Sequence, residues 1–420
     1  MDHFYVIFIL LLTSTSSFTK GEEMYEDYIW QVSKIPKIVT SNVVHLKSPD
    51  FKAEPHLEMN GTCGIECQKN LPTPSLNDLE NYLSYETVFD NGTRTLTKVN
   101  VQNWLPRNEV LSSVKHSLRR KRQVYGTDSR FSISDKQFMT NYPFSTAVKL
   151  SSGCSGILIS PKHVLTAAHC IHDGKDYVKD AKKLRVGILK IRSKRGGKRR
   201  KGSKKNKGGD REDTDSSKDG KKQRLKSIQK RSVTEEKKST ESRKEKSSTG
   251  SGKPSFQWTR VKAIQIPNGW FSDVTDKMIL DYDYAVLELK RPHKKKYMDI
   301  GISPQVEKMP GSRVHFSSFD DDRPGQLVYR FCSISEESSD LFYQYCDAEP
   351  GSSGSGIYIR LKEPNKKKWK RKIVAIYSGH QWVEFNGEHQ DYNIAVRITP
   401  LKYAQICLWI HGNSADCAQG

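Results

Sequence analysis

Apolar and polar positions along this chain fall into short runs separated by turn-forming residues. Thr146, Ala147, Val148, Lys149 and Leu150 alternate with the period of a half-buried strand, and residues 156–159 form a short apolar run. The same character returns at residues 261–266, 284–289, 356–361, 373–377 and 394–398. Near the end, Leu401, Ala404 and Leu408 fit a short helix over residues 400–410. Many short strands, turns and one terminal helix predict an all-β barrel or sandwich. With 420 residues the chain has room for one large domain plus a smaller region, or for two domains. No internal repeat is evident.

Two stretches depart from this pattern. About 100 residues near the start, up to residue 122, show little strong periodicity. Within them, Asp90-Asn91-Gly92-Thr93 lies between β-prone runs and predicts a hairpin turn. Residues 192–253 hold 24 Lys and Arg against 9 Asp and Glu, much Gly and Ser, and no aromatic residue. Such a segment cannot bury enough apolar surface to offset its ordering entropy, which predicts a disordered insertion.

The N-terminus sets the expected compartment. Residues 4–12 are apolar and small polar residues follow at 14–17. The run is too short to span a bilayer and reads as the core of a signal peptide over residues 1–19. No later stretch is long and apolar enough for a membrane span, so a secreted, extracellular protein is expected. Eight cysteines, an even count, predict disulfides in that compartment. Paired CxxC motifs and suitably spaced Cys/His clusters are missing, which argues against a zinc site, and no metal is expected. Asn60-Gly61-Thr62 and Asn91-Gly92-Thr93 are glycosylation triplets, making Asn60 and Asn91 candidate acceptors. Arg119-Arg120-Lys121-Arg122 matches the recognition pattern of furin-like convertases, which marks Arg122 as a processing site and residues 20–122 as a propeptide.

The net charge of +22 favours acidic partners, and +15 of it lies in residues 192–253. Export points to a sulfated glycan such as heparan sulfate and away from nucleic acid. Lys198, Arg199, Arg200, Lys201, Lys204 and Lys205 would supply point and forked contacts to sulfate. A solvated linker with no partner is the competing reading of this segment.

Three segments carry candidate chemistry. They are Leu165-Thr166-Ala167-Ala168-His169-Cys170, Asp281-Tyr282-Asp283-Tyr284-Ala285-Val286-Leu287 and Pro350-Gly351-Ser352-Ser353-Gly354-Ser355-Gly356. A serine hydroxyl is a weak nucleophile at neutral pH and needs a base to take its proton. Histidine has a suitable pKa, and a carboxylate fixes its tautomer and stabilises the imidazolium. Glycines let the backbone curl so that two N–H groups face a developing oxyanion, here Gly351 and Ser353.

These segments resemble the trypsin/chymotrypsin-type serine protease family. The histidine hexamer matches the family motif almost letter for letter, Asp283 falls in its aspartate strand, and Ser353 in its Gly-x-Ser-Gly-x-Gly turn. The His, Asp, Ser order also agrees. His169 and Asp283 are 114 residues apart, and removing the 62-residue insertion leaves about 52. The resemblance covers residues 123–420 apart from the insertion. It implies two packed six-stranded antiparallel β-barrels with a C-terminal helix, preceded by a propeptide, and a site between the barrels. It also implies that His169, Asp283 and Ser353 act on a protein substrate without a cofactor, and that Cys154 pairs with Cys170. The convertase-like site, the Gln-Val-Tyr-Gly start and the long propeptide resemble a secreted subgroup of the family. One member of that subgroup is regarded as inactive because its serine is replaced.

The family pattern is broken in places. Ser352 stands where the family has an aspartate that pairs with the new N-terminus after zymogen cleavage. The new N-terminus would be Gln123, which can cyclise. The site is then either preformed, as in bacterial glutamyl endopeptidase relatives, or collapsed. Asp347, six residues before Ser353, stands where trypsin-like members place a substrate-binding acid, and Ser378 and Gly379 are the other expected cleft residues. Cys332 is expected to pair with Cys346, Cys407 with Cys417 and Cys63 with Cys67, whereas a crossed arrangement would tether the propeptide. The expectation is a secreted serine endopeptidase. The alternative is an inactive homologue that binds a partner, matrix or glycosaminoglycan.

Overall fold

The computed structural model describes residues 35–54, 64–104, 128–191, 254–271, 279–306, 309, 313–362, 369–413 and 417. The expected signal peptide, Asn60, Cys63, the convertase site ending at Arg122 and residues 192–253 all lie outside the described residues. Among the described residues, no helix is long and apolar enough to cross a membrane.

The chain folds into two closed six-stranded antiparallel barrels. The first uses Ala147–Leu150, Ser155–Leu158, His163–Thr166, Arg185–Ile191, Pro254–Pro267 and Ala285–Leu289. It closes because Ala285–Leu289 pairs with both His163–Thr166 and Pro254–Pro267. Ile191 lies opposite Pro254 at the end of the pairing between Arg185–Ile191 and Pro254–Pro267. The second barrel uses Arg313–Ser318, Leu327–Glu337, Leu341–Gln344, Gly356–Lys362, Trp369–Phe385 and Glu388–Arg397. Pairing of Trp369–Phe385 with Glu388–Arg397 closes it. Closure removes the exposed edges that open sheets of this size would present.

Period-two alternation sends one side of each strand inward. Val148, Leu158, Leu165, Val186 and Leu287 are fully buried in the first barrel. Val314, Phe316, Ile359 and Val374 fill the second. Each such side chain contributes about 1.5–3 kcal/mol of burial free energy, so the two interiors dominate the stability of the fold.

The region before residue 105 is more ordered than its pattern predicts. Lys37–Leu46, Tyr85–Phe89 and Arg94–Gln102 extend the first barrel's sheet, and Tyr85–Phe89 pairs with Pro254–Pro267. The turn at Asp90-Asn91-Gly92-Thr93 joins the last two of these strands. Thr95, Thr97, Val99 and Val101 point inward along Arg94–Gln102. Two of those inward positions are threonine, which hides the alternation from a hydrophobicity reading. Helix Leu76–Leu83 starts with a capping box in which Ser75 Oγ accepts from Asp78 N and the Asp78 carboxylate accepts from Ser75 N, both at 3.2 Å.

Helix Pro400–His411 closes the chain. Thr399 caps its N-terminus, Pro400 occupies the first turn and Gly412, at φ 76°, ends it in the left-handed region. Trp409 packs edge-on against Tyr85 at 5.3 Å and, tilted, against Tyr284 at 5.9 Å. Gln405 accepts from the Tyr284 hydroxyl and donates to the Leu83 carbonyl. The helix therefore ties the N-terminal strands to the first barrel.

Disulfides join Cys154 to Cys170, Cys332 to Cys346 and Cys407 to Cys417. Cys67 is disulfide-bonded as well, and none of these six cysteines is its partner. The crossed arrangement is not the one adopted.

Candidate active site

The register of two strands assembles the histidine and its carboxylate. Strand His163–Thr166 leads into the short turn Ala168–Cys170, pinned to its neighbour by the Cys154–Cys170 disulfide. Ala285 lies opposite Thr166, which places Asp283 beside His169. His169 N donates to Asp283 Oδ1 at 2.9 Å, and His169 Nδ1 donates to Asp283 Oδ2 at 2.8 Å with the ring proton on Nδ1. Nε2 is then left to act as a base.

Asp283 is fully buried. Burial pushes its carboxyl pKa up, but the His169 charge, both His169 hydrogen bonds and the Ser378 hydroxyl outweigh it and hold the pKa below the ordinary value. Asp281, two residues earlier, is buried elsewhere. Burial and the charge of Asp340, opposed by Lys402, push its pKa well up. The structure thus separates two aspartates that lie within one sequence motif.

Ser353 lies in a turn whose glycines meet steric demands. Gly351 has φ +94°, and a Cβ there would stand 2.6 Å from the Phe319 carbonyl oxygen. Gly354 has φ +81°, and a Cβ would stand 2.1 Å from Thr166 Oγ1 and 2.5 Å from the Ser155 carbonyl oxygen. The turn is seated on the first barrel by hydrogen bonds. Ser155 N donates to the Ser353 carbonyl at 2.9 Å, and Ser155 Oγ donates to the Gly351 carbonyl at 2.7 Å. From the second barrel, Gly354 N donates to the Tyr377 carbonyl at 2.8 Å.

Among the described residues, the N–H groups of Gly351 and Ser353 have no acceptor. Two such donors in one turn can receive an oxyanion. Ser353 Oγ makes no hydrogen bond to His169 among the described residues, and His169 Nε2 lies 3.8 Å from Cys170 Sγ. Cys154, His169 and Cys170 bring their donor atoms within 4.8 Å of one another. Both sulfurs belong to the disulfide, and a disulfide sulfur lacks the thiolate charge that binds metal.

The other expected site residues have definite places. Ser378 Oγ donates to Asp283 Oδ2 at 2.5 Å, so it helps orient the Asp283 carboxylate. Gly379 is buried just past a register shift, opposite Ile394. Asp347 Oδ2 accepts from Ser129 N at 2.7 Å and Ser129 Oγ at 2.6 Å, so its carboxylate is engaged by the chain itself. Asn91 is exposed in its hairpin turn.

One group near the site escaped sequence reading. Arg130 donates to Asp128, Asp320 and Asp322, and Arg330 and the Ser318 hydroxyl also donate to Asp320. Arg323 binds Asp128 and the Arg130 carbonyl. Asp321, within this cluster, donates its N–H to the Pro350 carbonyl at 2.8 Å. The cluster thus backs the turn that holds Gly351. Its members come from three separate strands and loops, so no local spacing announces it.

Comparison with known proteins agrees with this geometry. The Trypsin family model matches residues 134–269. Inactive serine protease 35 of Homo sapiens is 59% identical over 99% of this chain and 99% of its own length. Its Macaca mulatta counterpart is 58% identical over 99% of this chain and 100% of its own length. Serine protease 23 of Bos taurus is 47% identical over 99% of this chain and 98% of its own length. A solved Glu endopeptidase in complex with MPD is similar over 68% of this chain and 98% of that one, at 15% identity and a TM-score of 0.41. Full-length likeness at this level, on two closed barrels carrying the histidine, aspartate and serine in family order, makes this chain a member of the trypsin family of serine proteases.

Proposed function

We propose that the protein is a secreted serine endopeptidase that hydrolyses peptide bonds at Ser353. His169 Nε2 takes the Ser353 hydroxyl proton as Oγ attacks the substrate carbonyl carbon. The resulting oxyanion is received by the N–H groups of Gly351 and Ser353. His169 then returns the proton to the leaving amine, and water repeats the sequence on the acyl-enzyme. Asp283 keeps the imidazole in the tautomer that leaves Nε2 open. The observation that carries this reading is the buried His169–Asp283 pair, made by two hydrogen bonds at 2.8 and 2.9 Å. The missing Ser353–His169 bond is compatible with it, because such bonds often tighten only when substrate binds. A fluorophosphonate probe tests it. Labelling of the purified full chain, abolished by Ser353→Ala, is expected. A folded protein that takes no label sinks the reading.

A second reading is an inactive homologue that uses the same fold to bind a partner. It is favoured by the unengaged Ser353 hydroxyl and by relatives, 58–59% identical, whose names call them inactive. Under either reading the chain is exported, cleaved after Arg122 by a furin-like convertase and glycosylated at Asn60 and Asn91. The apolar N-terminal run, the disulfides and the exposure of Asn91 support this. The basic residues 192–253 form a heparan-sulfate-binding arm. Deleting them is expected to lower the salt needed to elute the protein from heparin, and unchanged elution removes the arm from the proposal.

A further inference from the structure

The second barrel carries an unusual outer face. Arg360 and Arg371 lie directly opposite each other on paired strands. Like charges in that position repel and are ordinarily relieved by a nearby acid. Among the described residues neither has a carboxylate partner, and the same holds for Arg313 two strands away. Each guanidinium instead lies over a ring: Arg360 over Trp369 at 4.9 Å, Arg371 over Tyr142 at 5.6 Å and Arg313 over Phe331 at 5.7 Å. Asp299 faces Lys372 across its own strand pair.

Between these groups is a cavity of about 420 Å³ lined by Tyr142, Phe144, Tyr329, Tyr358, Arg360 and Arg371. Arg371 Nε is buried there without a hydrogen-bond partner. His315 stacks on Tyr358 at 5.6 Å beneath the same face, and burial together with the charges of Arg360, Arg371 and Arg313 pushes its pKa down to about 4. Unneutralised forked donors beside aromatic rings recognise an anion attached to a flat, partly apolar ring. None of these residues belongs to the His169–Asp283–Ser353 set.

We propose that this face, centred on the cleft between Arg360 and Arg371, binds a sulfated polysaccharide. Sulfates meet the guanidinium forks while the C–H faces of the sugar rings lie on Tyr142, Tyr329 and Trp369. Nucleic acid offers a comparable mix of stacking and charge. The disulfides favour the glycan, because they form and persist in oxidising compartments outside the cytosol. An acidic peptide supplies charge but no regular series of rings. This site is folded and distinct from residues 192–253, and it does not depend on whether Ser353 is reactive.

The test uses the full chain and a size-defined heparin octasaccharide. Affinity is measured by titration calorimetry and the bound region by hydrogen exchange. Protection is expected in strands Gly356–Lys362 and Trp369–Phe385. Arg360→Ala with Arg371→Ala is expected to weaken binding about tenfold or more, since both charge-assisted contacts to sulfate are lost. If that pair misfolds, Arg360→Lys with Arg371→Lys keeps the charge but loses the fork, and intermediate affinity is expected. Deleting residues 192–253 separates the arm from this face: exchange protection on the two strands persists if the face binds. Unchanged affinity in a folded double variant, or no protection on these strands, overturns the proposal. Tighter binding of a single-stranded DNA of matched charge, lost in the same double variant, overturns the choice of glycan.

Discussion

Arg130 Nη1 donates to Asp320 Oδ2 at 2.9 Å across 190 residues of sequence. Arg130 lies eight positions beyond Arg122, and Asp320 adjoins the Asp321 that holds the Pro350 carbonyl. A buried ion pair within the chain therefore braces the turn that holds Gly351 and Ser353. In this position the family uses an aspartate and a newly cut N-terminus, whereas Ser352 here is uncharged and donates to the Glu349 carbonyl at 2.6 Å. Arg130→Ala is expected to destabilise the fold by about 3 kcal/mol, because it strips one partner from a buried pair while Arg330 still holds Asp320. Urea unfolding measures this. If Ser353 is reactive, a chain with Arg119→Ala and Arg122→Ala is expected to take fluorophosphonate at the same rate as processed protein. Labelling that appears only after cleavage contradicts this brace.

If the chain is cut after Arg122, the segment before the cut is expected to stay bound. Tyr85–Phe89 is hydrogen-bonded into the first barrel's sheet, and Leu83, Val88 and Val99 share its core. Tyr177, on the short strand that follows the His169 turn, donates its hydroxyl to Glu86 at 3.0 Å. Lys69 pairs with Glu336 of the second barrel at 2.9 Å. Cleavage at Arg122 is expected to give two fragments that co-elute in native size-exclusion chromatography. They are expected to separate in denaturant without reductant. Separation under native conditions would show that the sheet does not hold.

Ser378→Ala removes the hydroxyl that donates to Asp283. The fold is expected to persist, because only one buried hydroxyl is lost. The rate of probe labelling is expected to fall about tenfold, in line with one charge-assisted hydrogen bond. Ser378→Thr keeps a donor and is expected to recover part of the rate. Equal rates in wild type and Ser378→Ala would confine Ser378 to packing.

His172 predicts an acid-sensitive window. Its ring packs edge-on against Tyr177 at 4.5 Å and Phe271 at 4.7 Å, and Nδ1 accepts from Gly174 N at 3.0 Å. Burial, aided by the Arg94 charge and opposed by Asp173, pushes its pKa from 6.5 to about 4. Between those values the unfolded chain binds a proton that the folded chain does not. Stability is therefore full above pH 6.5 and falls toward pH 4, below which this group adds no further slope. The full effect is on the order of 3 kcal/mol. Denaturant midpoints measured across this range are expected to flatten in His172→Gln, and an unchanged slope would assign the acid sensitivity elsewhere.

Local pattern carried much of this protein. The alternation at residues 146–150 and the apolar runs that follow lie where the barrel strands run, and the terminal helix spans Pro400–His411. The three motifs around His169, Asp283 and Ser353 were legible because each is continuous in sequence and steric need fixes its glycines. The N-terminal strands were not, since threonine at positions 95 and 97 blunts the inward pattern and their pairing partners lie far away in sequence. Only the tertiary structure turned Asp347 toward Ser129 and gathered Arg130, Arg330 and Asp320 behind the turn. Those outcomes depend on strand register and barrel closure, which bring distant residues to hydrogen-bonding distance. Motifs are set by neighbours along the chain, whereas the choice of partner for a buried charge is set by what the closed barrels leave within reach.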